Sequence, residues 1–194
     1  MADIVCSTEC AGGVSMGSFP NDCTQVDFGF PKMVILAAMG TDLSPAGICP
    51  TAAEFSAALA TLGSDILVIN DIANGQKLAG EKQEISDADT ADNLPEVISE
   101  REGIMGNLKR FNLAILNDLE ALNCHKRLRM WYITNKNWCF GGTLGYKAST
   151  YFGDIVHDGF GNRSYVPLEF KWMRENATTA ALYDADYEDL TNAS

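Results

Sequence analysis

The ten residues 164–173, SYVPLEFKWM, alternate strictly: Tyr165, Pro167, Glu169 and Lys171 form one set, Val166, Leu168, Phe170 and Trp172 the other. Successive side chains of a strand leave opposite faces, so a period of two predicts a half-buried strand of an antiparallel sheet. Such a strand needs neighbours. RLRMWYIT and NWCFGGTLGYKA flank Asn135-Lys136-Asn137, a short polar connection suited to a hairpin, and a further strand is expected near 150–156.

The first half of the chain mixes strands with helices. KMVILAAM, after Pro31, is β-branched and apolar over a strand's length, and the turn residues GTDLSPAG end it. Thr51-Ala-Ala-Glu54 has capping-box spacing, and Phe55, Leu59 and Leu62 follow on one face, with Gly63 placed to stop the helix. A short helix over 52–62 is predicted. DILVINDI reads as a second buried strand, and Ala73-Asn74-Gly75 predicts a hairpin returning through Gln76–Ile85. VISEREGIMG is a candidate strand. Leu108, Phe111, Ile115, Leu119 and Leu122 mark the apolar stripe of a longer helix from 108 to 122.

Three stretches lack a core pattern. Residues 1–30 read as an arm rich in Gly, Ser and Cys. Residues 81–102 carry eight acids against two basic residues and read as a long acidic loop of an α+β domain spanning 31–174. The tail 175–194 has five acids, no Lys or Arg, and is expected to have no packed structure of its own, its tyrosines being free to dock on a neighbour. The predicted class is α+β: an antiparallel β-sandwich or barrel with one long and one short helix and extended arms.

Charge narrows the function. With 14 Lys and Arg against 26 Asp and Glu, the formal net charge of −12 repels phosphates, which argues against nucleic-acid binding by charge neutralisation. The N-terminal MADIVCSTEC has no basic n-region, so no secretory signal is expected, and the longest apolar run, Met33 to Met39, is too short to span a bilayer. Without secretion the sequons at Asn162, Asn176 and Asn192 have no access to glycosylation, and the six cysteines read as free thiols. Whether Cys6, Cys10 and Cys23 form disulfides or bind metal stays open, although no CxxC pair is present and the spacing, with Cys49 as fourth ligand, fits no common zinc module.

No catalytic, cofactor-binding or metal-binding residues are assigned. Cys124 and His125 are adjacent at a helix end, where their side chains diverge, and His125 suits a helix-end cation among Lys126, Arg127 and Arg129. His157-Asp158 precedes a turn-like stretch, Gly159–Asn162, where a local hydrogen bond explains both. Gly141-Gly142-Thr143-Leu144-Gly145 lacks the Lys-Ser/Thr and the helix of a phosphate loop, and reads instead as a bulge or close backbone approach. The Asp87-x-Asp89 pair lacks the Gly and Glu of a calcium loop. Trp131, Tyr132, Trp138, Phe140 and Tyr146 are read as core or subunit contact in preference to base stacking.

The order of elements carries a family likeness. PKMVILAAMGTDL, the TAAEFSAAL helix, a hairpin with a long excursion, REGIMGNLKRFNLAILNDLEAL, RMWYITNKNWCFGG and the closing strands together resemble the tail-tube and related ring or hub proteins of tailed bacteriophages, the crAss-like phages of Bacteroidetes included. That resemblance implies a sandwich or barrel with a flanking helix, and six-fold or twelve-fold homo-oligomeric rings. It also implies stacking through long loops, contact with other tail or neck proteins of the virion, and an acidic lumen through which the genome leaves. It brings no catalytic residues and no cofactor. The contacts between subunits are expected in the loop 81–102 and the tail 175–194. Two other readings are a thiol-dependent hydrolase using Cys124 or Cys139 with His157, and a monomeric ligand-binding β-barrel walled by Trp131, Trp138 and Trp172.

Overall fold

The computed structural model describes residues 27–41, 43, 45, 47–62, 65–85, 96–111, 113–123, 128–157, 164–173 and 181–190. It is an α+β fold built on one antiparallel sheet that curls on itself without closing into a barrel. The strands are β1 (Pro31–Ala37), β2 (Ile66–Ile69), β3 (Ile72–Ile85), β4 (Glu96–Leu108), β5 (Leu128–Thr134), β6 (Trp138–Phe140), β7 (Tyr146–Phe152), β8 (Val166–Met173) and β9 (Ala181–Tyr183). The hydrogen-bonded order is β2-β1-β5-β7-β8-β4-β3, with β6 added to β5 and β9 to β6. Two helices, α1 (Ala52–Leu62) and α2 (Leu113–Asn123), complete it.

Two cores divide the side chains by strand parity. In β1, Val34 and Leu36 face the first core, and Met33, Ile35 and Ala37 face the second. The paired strand β5 repeats this split, with Met130 and Tyr132 to the first, Trp131 and Ile133 to the second. Inside the curl, the first core joins them to Ile104 and Leu108 of β4, the alternating Val166, Leu168, Phe170 and Trp172 of β8, and Leu119 of α2. The curl is tight enough that Tyr132 of β5 and Trp172 of β8 lie 6.2 Å apart between ring centroids, although β7 pairs between them. Outside, α1 closes the second core with Phe55, whose ring meets Trp131 edge-on at 5.6 Å.

Local signals explain most elements. The capping box forms as predicted: Glu54 Oε2 accepts from the Thr51 N–H at 2.7 Å, and Thr51 Oγ1 accepts from the Glu54 N–H at 3.3 Å. Gly63 lies outside the described residues. The β5–β6 hairpin turns at Asn135-Lys136-Asn137, where Asn137 takes φ 59° and the buried Thr134 Oγ1 accepts from the Lys136 and Trp138 N–H groups. Gly145, at φ 69°, has no room for a Cβ against the Trp131 ring, and Trp131 Nε1 donates to the Gly142 carbonyl at 2.8 Å. Residues 141–145 are therefore the close backbone approach expected of them.

Four expectations are corrected. The hairpin at Asn74-Gly75 does not form: β2 pairs with β1, and β3 continues past these residues to pair with β4. Asn74 does adopt the left-handed conformation, φ 54°, but uses it in a register shift between Ala73 and Gln76, while Asp71 at φ 58° turns the corner from β2. The second helix starts at Leu113, because Leu108 is the last residue of β4, paired with Val166; α2 is no longer than α1. Of the expected loop 81–102, residues 81–85 end β3 and 96–102 begin β4, in keeping with the strand readings of Gln76–Ile85 and VISEREGIMG, and 86–95 lie outside the described residues. Residues 181–190 of the tail are also packed: β9 joins β6, and a short 3₁₀ helix, Ala185–Asp189, follows.

That tail segment is anchored by one residue. Tyr187 is fully buried beside Phe55, and its hydroxyl donates to the Pro50 carbonyl at 2.6 Å. Burial pushes its phenol well above the ordinary tyrosine range, so it remains a donor. Tyr187→Ala empties an aromatic site in a core and is expected to cost about 3 kcal/mol. Tyr187→Phe loses only the hydroxyl's bond, about 1 kcal/mol. Urea unfolding midpoints of the two variants check this; equal midpoints would place the ring outside the core.

Candidate assembly surfaces

Among the described residues, those that would carry chemistry are not assembled into a site. Cys139 and Cys49 are free thiols with no solvent exposure, and Cys49 Sγ donates to the Cys139 carbonyl at 3.6 Å. Burial pushes the Cys139 thiol well up, and the hydrogen bond with Cys139 draws Cys49 down, but neither sulfur can meet a substrate. His157 stands on the exposed surface, its Nδ1 2.8 Å from Ser164 Oγ. A sealed thiol and a surface imidazole make no dyad. Cys6, Cys10, Cys23, Cys124, His125, Asp87, Asp89 and the three sequon asparagines lie outside the described residues. Among the described residues no group of His, Cys, Asp and Glu is arranged for a metal, and no helix is long and apolar enough to cross a membrane.

The three tryptophans line no common pocket. Trp131 sits under α1, Trp172 faces the first core, and half-buried Trp138 meets Phe28 and Tyr183 edge-on. Tyr132, Phe140, Tyr146 and Trp172 are instead spent on one another in a stacked row, with centroids 4.6 to 6.2 Å apart. A cleft between α2 and the ends of β2 and β4 encloses about 150 Å³, with the Arg110–Asp71 ion pair (3.2 Å) among its residues. That is below the several hundred Å³ of ordinary small-molecule pockets.

What the surface offers is strand edge. β2 and β9 have four and three residues, short enough to attract little pairing. β3 has 14, and among the described residues no strand hydrogen-bonds its outer edge. β8 pairs with β4 only from Arg101 to Leu108, so residues 82–85 and 96–100 pair with one another alone. They form a two-stranded ribbon running on the order of 13 Å past the body of the sheet. Sequence reading gave both Gln76–Ile85 and 97–106 as strands but paired the first with the wrong neighbour and overlaid both with an acidic loop.

The other open surface is the outer face of β7, β8, β4 and β3, which α1 does not cover. Tyr151, Glu169, Met105 and Gln76 lie side by side across these four strands. Tyr151 is 60% exposed and Met105 41%. A shallow groove of about 340 Å³ lies along this row.

The buried thiols give a direct check of the packing. Brief iodoacetamide treatment of the native protein is expected to leave Cys49 and Cys139 unmodified by peptide mass spectrometry, and denaturant to make both react; rapid native labelling of Cys139 would reopen the enzyme reading.

No family and no curated protein matches the chain. Among solved structures it is similar to a chain of the virion of a native gene transfer agent particle, at 8% identity and TM-score 0.36, covering 62% of this chain and 89% of that one. It is similar also to a chain from the tail of an empty gene transfer agent particle computed with helical refinement in C6 symmetry, again at 8% identity and TM-score 0.36, covering 63% and 89%.

Proposed function

We propose that this chain is a structural protein of a tailed, phage-like virion that self-assembles into a ring or tube of the tail, through which the genome passes. The observation that carries this reading is the outer edge of β3, to which no strand among the described residues is hydrogen-bonded, together with the ribbon it forms with β4. Beyond Gly75, which lies against Pro31, the outer N–H and C=O groups of β3 are a template for another strand, interrupted by register shifts between Leu78 and Glu81 and between Gln83 and Glu84. A two-stranded ribbon is marginal in water unless a third strand or another surface supports it. Pairing around a closed ring supplies that strand to every subunit and leaves no edge over. The exposed charges Lys77 and Glu81 keep the edge soluble before assembly.

Net charge suits a conduit. A protein at −12 that lines a channel with acids gives DNA no phosphate contacts to stick to, so passage costs little. The expected partners are further copies of this chain and other proteins of the tail or neck, and the place of action is the virion.

Deleting the ribbon tests the reading. With residues 82–100 replaced by Asn-Gly, the pairings from Ile72 to Glu81 and from Arg101 to Leu108 remain, so the melting temperature should hold within a few degrees. In light scattering coupled to size exclusion, the full chain is expected to form rings or larger species, and the shortened chain to elute as a monomer. Normal oligomers from the shortened chain would rule out the ribbon as the assembling element.

A further inference from the structure

Two thiols meet inside the second core. Cys49 ends the loop that leads into α1, next to Pro50, and Cys139 is the middle residue of β6, paired with Ile133 on one side and Leu182 on the other. Neither has any exposed surface. Although 90 positions apart in the chain, they share a side-chain hydrogen bond, and Cys49 Sγ donates to the Cys139 carbonyl at 3.6 Å. Tyr187, whose hydroxyl donates to the Pro50 carbonyl, is in hydrogen-bonding contact with the Cys139 side chain as well. The thiols therefore stand where three pieces of the second core meet: the entry to α1, β6 and the 3₁₀ helix of the tail. A buried cysteine packs as a small hydrophobe, and any small apolar pair would fill this space. Only sulfur can join the two sides.

The two sulfurs are chemically unequal. The hydrogen bond with Cys139, and after it one with the Gly142 backbone, draws the Cys49 thiol down against its burial. Burial, and then the hydrogen bond with Cys49, pushes the Cys139 thiol up. Cys49 is thus the first to ionise and the sulfur that attacks, with Cys139 beside it to complete the exchange.

We propose that Cys49 and Cys139 form a redox-closed staple, free thiols in a reducing medium and a disulfide once the chain meets a peroxide. Cys49 gives its proton to solvent, and its thiolate attacks one oxygen of hydrogen peroxide. The O–O bond breaks, hydroxide leaves and takes up a proton as water, and the sulfur becomes a sulfenic acid. Cys139, deprotonated in turn, attacks that sulfur; the S–S bond forms, the S–O bond breaks, and the second oxygen leaves as water. Two thiols lose two electrons and one peroxide is reduced to two waters. Sealed against larger reagents, the pair is open to an oxidant near water's size whenever its cover parts locally. The bond ties the entry of α1 to the sheet that α1 covers and closes a long loop, the case in which a cross-link restrains the unfolded chain most. Both sulfurs belong to one chain and neither lies on β3, so the staple is independent of the assembly reading.

Peroxide treatment tests it. The full chain with Cys6, Cys10, Cys23 and Cys124 replaced by Ser is held for hours in hydrogen peroxide and urea well below the unfolding midpoint, beside a sample kept in dithiothreitol. Peptide mass spectrometry is expected to find Cys49 joined to Cys139 with the loss of two hydrogens. The melting temperature should rise by about 5 °C and fall back on reduction. The unsubstituted chain treated in parallel should give the same cross-link. Adding Cys49→Ala or Cys139→Ala should abolish both changes, each variant being compared with its own untreated sample so that any loss of stability from the substitution cancels. Thiols that stay reduced, Cys49 oxidised to sulfinic acid without a cross-link, or a cross-link that fails to raise the melting temperature would each overturn the staple.

Discussion

The structure depends on two neighbouring strands, β1 and β5, being buried on both faces. Val34 and Leu36 on one side, Met33 and Ile35 on the other, and the matching pairs Met130/Tyr132 and Trp131/Ile133 leave no face of this ribbon to water. A strand pair with two apolar faces needs a cover on each. The curl of the sheet brings β4 and β8 onto one, and α1 with the tail segment onto the other. Loss of either cover would expose several large side chains at once, so the two cores fold as one unit.

The same arrangement explains why the far half of the sheet is unfinished. One helix and ten tail residues suffice to cover β2, β1, β5 and β6, and among the described residues nothing lies over the outer face of β7, β8, β4 and β3. β7 and β8 alternate buried with more exposed residues, so they are stable with one face wet. The long edge of β3 lies at the limit of this half. That edge, which no strand among the described residues pairs, is the one to which the proposed assembly is assigned.

Much of this was readable from local signals. The Thr51–Glu54 box and the Phe55, Leu59 spacing fix α1 to the residue, and the alternation of 166–172 gives β8 its correct faces, because in both cases one short pattern is decided by local geometry and a single buried side. The failures share a cause. Asn74-Gly75 is a strong hairpin signal, yet β3 bends there by a bulge, since β1 offered β2 a better partner at a distance the sequence does not display. Leu108 fits a helical stripe and a strand end equally well, and only its pairing with Val166 decides. Tyr187 gave no sign of being core, because its neighbours are acids and its socket is made by Phe55, Pro50 and Cys139, remote in sequence. As for the candidate surfaces, the sequence marked 81–102 and the tail as unusual but could not show that one is a strand edge and the other a clasp on its own chain.

The central claim is that the outer edge of β3 pairs with another copy. Hydrogen–deuterium exchange of the full chain, compared between concentrated and highly diluted samples, reads that edge directly. The account predicts that amides within 77–85 exchange markedly more slowly in the concentrated, assembled sample, while those of β1 and β5 are equally protected in both. Assembled particles in which the β3 amides exchange as fast as in the dilute chain would contradict it.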